Sequence, residues 1–139
     1  MTAVSICRSR GTAWKMPLDK GELRRVLRSM LSLLAAGVDR LDLLITDDRG
    51  IALYTRRHLG CNGPTNILSF PSAVRSAPAC LVLSAETLLR ECLLYGRQPR
   101  EYAVRLLAHG LAHIAGHSHG EAMAHLEEKA VSAALAVLG

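Results

Sequence analysis

Five of the chain's six histidines fall between His109 and His125. The run His109-Gly110-Leu111-Ala112-His113-Ile114-Ala115-Gly116-His117-Ser118-His119 constrains the fold more than any other stretch. Val104, Leu106, Leu107, Leu111 and Ile114 give this region the apolar spacing of a helix packed on a core. His109 and His113 are four apart, so both imidazoles share one face. A polar pair on such a helix is costly unless each ring is satisfied. Gly116 can take positive φ and turn the chain back, which lets His119 serve as a third ligand. Three neutral imidazoles with an open fourth position describe a catalytic zinc centre rather than a closed structural one, although nickel and copper also accept imidazole. His117 reads as a partner to a ligand, a phosphate contact or an exposed loop residue. His125 reads as solvent-facing.

The three histidines and the glycine are spaced as in the HExxHxxGxxH pattern of metzincin proteases. Position 110 is Gly, so the glutamate general base of those enzymes is absent and peptide hydrolysis by their route is disfavoured.

The 139 residues suit one domain, 1–139, with residues 1–17 as an N-terminal strand or arm. Asp19 and Glu22 form a capping-box pair after Leu18. Leu23, Val26, Leu27, Met30, Leu31 and Leu34 then repeat with helical spacing up to Gly37. The polar face of that helix carries Arg24, Arg25 and Arg28. A strand follows over about 41–46. Asp47 or Asp48 caps a helix over 49–58, and Gly60 and Gly63 mark a loop. Asn66–Phe70 reads as a short strand stopped by Pro71, residues 72–79 as a surface connection, and Cys80–Leu83 as another strand. Ser84 caps a helix over 85–95 that closes at Gly96. Pro99 opens a helix over 99–115, and a last helix spans 121–137. The expected architecture is α/β (mixed α+β): a small mixed four-stranded sheet packed with about five helices.

Composition narrows the function. The net charge is +5, and all but Lys15, Lys20 and Lys129 of the 17 basic residues are Arg. Arg forks suit phosphate and carboxylate, and codon bias in a GC-rich genome is the plainer source of the same ratio. The only aromatics are Trp14, Tyr54, Phe70, Tyr95 and Tyr102, too few for a binder built on stacking platforms. Cys7, Cys61, Cys80 and Cys92 lack CxxC spacing, which fits incidental thiols in a reducing cytoplasm. Arg8 and Arg10 interrupt any early apolar leader, and no run of 18 apolar residues predicts a membrane span.

The segment Pro64-Thr65-Asn66-Ile67-Leu68-Ser69-Phe70-Pro71, followed about 40 residues later by HGxxHxxGxxH, resembles the YbeY family of bacterial rRNA maturation factors. The resemblance covers about residues 20–125. It implies a metal-dependent, single-strand-specific endoribonuclease. It implies a zinc ion on His109, His113 and His119, and an RNA substrate centred on the 3′ end of 16S rRNA. It also implies work with the small ribosomal subunit or its proteins, including ribosome quality control. Three positions depart from the family pattern. Ser118 stands where the family has Asp before the third His, Leu59 stands at the family's Arg position, and Cys80 aligns with a family Asp.

These readings give a set of candidate roles. Arg56 or Arg57 would stabilise phosphorane charge in place of the missing Arg; the alternative is a solvated helix end. Ser69 and Asn66 would orient substrate or water, or else hold the loop and strand start. Arg24, Arg25 and Arg28 would track RNA backbone, or form an ordinary solvated face. His117 and Ser118 would support the ligands. A ribosome-assembly factor with a structural zinc, and another zinc hydrolase, are the rival functions.

Overall fold

A computed structural model of the chain describes residues 2–60, 63, 65–72, 74, 77–117 and 120–139, without the side chain of Leu59. The elements run β1 (Ala3–Arg8), α1 (Lys20–Leu34), β2 (Arg40–Thr46), α2 (Asp48–Leu59), β3 (Ile67–Phe70), β4 (Ala79–Ser84), α3 (Ala85–Tyr95), α4 (Pro99–Ile114) and α5 (Glu121–Leu138). The expected elements all form, with boundaries shifted by a residue or two.

The strands make one sheet in the order β1-β2-β4-β3. The pairs β1–β2 and β2–β4 are parallel, and β3 joins β4 antiparallel as an edge strand. Period-two alternation sorts the side chains to two faces. Leu41, Leu43, Ile45, Leu81 and Leu83 point to the main core, where they meet α1, α4 and α5. Leu68 and Val82 point the other way and pack with Ile51 of α2, bordered by Leu44, Tyr54, Phe70 and Cys80.

All six apolar residues read from the α1 pattern are buried. The Asp19 carboxylate accepts the Glu22 N–H at 2.8 Å, and the Glu22 carboxylate accepts the Asp19 N–H at 3.0 Å, completing the capping box. Leu18 is buried just ahead of it. The C-terminus departs from expectation. The helix ends at Leu34 with Ala35 as its cap, so Gly37 lies beyond the helix rather than at its end. His117 supplies the reason: its Nε2 donates to the Leu34 carbonyl at 3.0 Å, a side-chain cap for an otherwise orphaned acceptor.

Between Asp47 and Asp48, Asp47 is the cap of α2, accepting the Gly50 N–H at 2.8 Å. Asp48 takes a different part. Its carboxylate accepts from Ser84 Oγ at 2.8 Å, from Thr87 Oγ1 at 2.5 Å and from both terminal nitrogens of Arg90. Its own N–H donates to Glu86 at 2.9 Å, and Glu86 pairs with Lys15 at 3.0 Å. This polar cluster ties the start of α2 to the start of α3.

Candidate metal centre

The sheet and α4 fit closely at Gly110. A Cβ there would sit 2.8 Å from Leu81 Cδ2 and 2.9 Å from Ile67 Cδ1, so β3 and β4 press against the helix backbone itself. Ser69 reaches across the same contact and donates its Oγ to the Gly110 carbonyl at 2.9 Å. The glycine at the metzincin glutamate position therefore has a packing reason, and the neighbouring His109 stands on the less buried side of α4.

There, His109 and His113 point their rings at one another. Their Nε2 atoms are 2.9 Å apart, with ring planes at 86°. Two nitrogens at 2.0–2.1 Å from one tetrahedral zinc lie about 3.3 Å apart, so the pair needs to open by only a few tenths of an ångström to share an ion. His109 Nδ1 is 3.0 Å from Glu127 Oε1 on α5. A carboxylate accepts, so Nδ1 donates and the Nε2 lone pair faces His113. The side chain of His109 is 42% exposed, so the pair is reachable from solvent. Both the spacing and the donor chemistry fit zinc.

The chain then turns as the glycine predicts. Gly116 takes φ +79°. The Gly116 N–H donates to the His113 carbonyl and the His117 N–H to the Ala112 carbonyl, each at 3.1 Å, the paired bonds of a Schellman cap. His117 is half-buried and holds the turn against α1. His125 is exposed, as expected. Ser118 and His119 lie outside the described residues, as do Cys61, Asn62 and Pro64 of the preceding loop. Among the described residues, no group of three His, Cys, Asp or Glu side chains gathers to hold a metal.

Asn66 anchors the start of β3. Its Nδ2 donates to Glu91 Oε1 at 3.0 Å, and its Oδ1 accepts the Ile67 N–H at 2.6 Å. Tyr102 of α4 donates its hydroxyl to the same Glu91 oxygen at 2.9 Å. Burial first, then Glu91, pushes the Tyr102 phenol up to about 12. Glu91, Tyr102 and Glu127 were not visible as site residues in the sequence. Each lies on a different helix from its partner, and no local spacing marks it.

Arg56 and Arg57 are exposed in the last turn of α2. His58, next in sequence, packs edge-on against Phe70 at 4.9 Å between ring centroids. Phe70 follows Ser69, so the end of α2 and the histidine turn reach the same end of β3 from opposite faces of the sheet. A groove of about 270 Å³ adjoins that end, lined in part by Arg40, Ser72, Val74 and Ile114. Arg28 and Arg25 are exposed and Arg24 half-buried. Arg24 and Arg25 lie within a turn of Glu22, which pairs with Arg100 at 2.7 Å, toward the end of α4 away from its histidines. Burial raises the thiol pKa of Cys92 and, with help from Asp42, of Cys80.

The sequence profile of the family described as Endoribonuclease YbeY matches residues 11–134. The chain belongs to the endoribonuclease YbeY family. It is 42% identical to the Endoribonuclease YbeY of Nitratidesulfovibrio vulgaris, covering 89% of this chain and 90% of that one. The corresponding protein of Oleidesulfovibrio alaskensis is 39% identical over 85% of this chain and 84% of its own. A solution structure of TM1509 from Thermotoga maritima superposes with a TM-score of 0.68, covering 97% of this chain and 91% of that one. At 13% identity that likeness speaks to the fold alone. No helix among the described residues is long and apolar enough to cross a membrane.

Proposed function

We propose that this protein is a zinc-dependent, single-strand-specific endoribonuclease that matures the 3′ end of 16S rRNA and serves ribosome quality control in the cytoplasm, alongside the small subunit. Membership of the YbeY family supports an endoribonuclease acting in rRNA processing. The observation that carries the metal-centred reading is the convergence of His109 and His113, Nε2 to Nε2, at 2.9 Å. His109, His113 and His119 would hold the ion. Zinc, when bound, supplies Lewis acidity toward a phosphoryl oxygen and toward water.

The rest of the chemistry falls to the chain's own side chains. Arg56 and Arg57 stand exposed at the end of α2, where a guanidinium fork can grip a phosphate and stabilise the charge that builds on it. Ser69 donates to the Gly110 carbonyl and Asn66 to Glu91, bonds that hold β3 against α4 and α3 while leaving them beside the centre, where they would orient substrate or water. Arg24, Arg25 and Arg28 of α1 lie apart from Arg56 and Arg57, on the other side of the sheet, and would track RNA backbone beyond the centre. His117 and Ser118 would steady the turn that carries His119. Target choice would rest with the ribosome or a bound protein.

Incubating the zinc-loaded protein with single-stranded and duplex RNA carrying the 16S 3′ sequence tests this reading. Cleavage confined to the single strand, lost on chelation and restored by zinc, supports it; cleavage indifferent to chelator contradicts it.

A further inference from the structure

We propose that Glu127 is a positioning residue for the metal centre: it fixes which nitrogen of His109 carries the proton and so presents Nε2 as a ligand. The inference rests on the reading of His109 and His113 as ligands. Three observations carry it. Glu127 Oε1 lies 3.0 Å from His109 Nδ1, hydrogen-bond distance for a charge-assisted N–H donor. The Glu127 side chain is only 23% exposed, so water competes weakly for that bond. The opposite ring nitrogen, Nε2, is the one that meets His113. A histidine whose outer nitrogen is held by a carboxylate is oriented and made more basic at the other nitrogen, and losing such a partner costs about 10–100-fold in metal affinity.

Nothing else in the contact between α4 and α5 requires Glu127. The two helices are joined by the neighbouring Glu128, which pairs with Arg105 at 2.6 Å. Met123, Ala130, Val131 and Ala134 of α5 are buried in the main core together with residues of α1 and α4. Arg105 is in turn held by Glu101 at 3.1 Å. The helix pair is thus fastened independently of Glu127, and substitution there can act on the metal site while the fold stands.

The experiment measures zinc affinity by competition with a chromophoric chelator, on wild type, Glu127→Ala, Glu127→Gln and, as a control, Glu128→Ala. Alongside it, long-range ¹H–¹⁵N spectra of the metal-free proteins report the His109 tautomer. In wild type the proton sits on Nδ1. Glu127→Ala weakens zinc by about 10–100-fold and moves the neutral ring toward the Nε2–H form that free histidine prefers. Glu127→Gln keeps an acceptor and falls between the two, and Glu128→Ala leaves both readouts at wild-type values. Wild-type tautomer and affinity in Glu127→Ala overturn the inference while leaving the zinc reading intact. Failure of the wild type itself to bind zinc overturns the zinc reading and the inference with it, and is distinguished by the wild-type titration alone.

Discussion

Ser69 and Gly110 lock the edge strand of the sheet to the histidine helix, Oγ to carbonyl oxygen at 2.9 Å. The same contact leaves no room for a side chain at position 110. Adding Cβ in a filled core costs about 1–3 kcal/mol, while alanine recovers about 1 kcal/mol of helix propensity over glycine. Gly110→Ala is therefore expected to lose about 1 kcal/mol in denaturant unfolding. Gly110→Glu, which restores the protease-like motif, buries a carboxylate against Leu81 and Ile67 and should lose several-fold more without gaining peptidase activity. A stable Gly110→Glu protein would mean that the sheet does not dictate this glycine.

The glycine shows how far the sequence could be read. Helix and strand positions were legible because each buries one regular face: the α1 set from Leu23 to Leu34 and the alternation Leu41, Leu43, Ile45 needed no knowledge of neighbours. Caps at Asp19 and Ser84, the helix start at Pro99, and the reversal at Gly116 were legible for the same local reason. Contacts between elements were not. That Glu127 meets His109, that Glu91 joins Asn66 to Tyr102, and that His117 closes α1 at Leu34 all depend on how helices distant in sequence pack. At Gly110 the sequence shows only an absent glutamate; the reason for the glycine, the close approach of Leu81 and Ile67, belongs to the fold.

Tyr102 and Glu91 predict an alkaline limit to stability. The phenol titrates at about 12 in the folded protein against an ordinary value of 10. A group whose folded value is raised stabilises the fold fully below its unfolded value and loses that contribution as pH climbs through the folded one. Stability should therefore fall between about pH 10 and 12. In Glu91→Gln the Tyr102 titration, followed by phenolate absorbance, should move down toward 10 while staying above it, because burial is the larger cause. No movement would show that Glu91 does not act on the ring.

Arg56 and Arg57 stand exposed, and changing an exposed residue usually alters stability by no more than about 0.5 kcal/mol. Arg56→Ala and Arg57→Ala should melt like wild type. At least one should lower kcat on the order of 10²-fold, the usual cost of removing a group that stabilises transition-state charge. Cleavage by both at the wild-type rate would exclude either as a replacement for the Arg missing at position 59.

Metal removal separates an enzyme from an assembly factor with a structural zinc. Leu107, Ala108, Leu111 and Ala112 of α4 are fully buried without help from the ion, so the fold should survive chelation. At a zinc concentration 100 times its Kd, the ion adds about 2.7 kcal/mol. Chelation should lower Tm by a correspondingly modest step and abolish cleavage. Collapse of the fold on chelation would favour the structural role.

The most direct measurement is zinc content and cleavage of a single-stranded 16S rRNA 3′ fragment, compared between wild type and His113→Ala. Because His113 is one of two histidines whose Nε2 atoms converge at 2.9 Å, the account predicts about one zinc per wild-type chain. It also predicts cleavage by wild type, and a folded His113→Ala protein that holds no zinc and leaves the fragment intact. A folded His113→Ala protein that keeps its zinc and cuts at the wild-type rate would contradict the account.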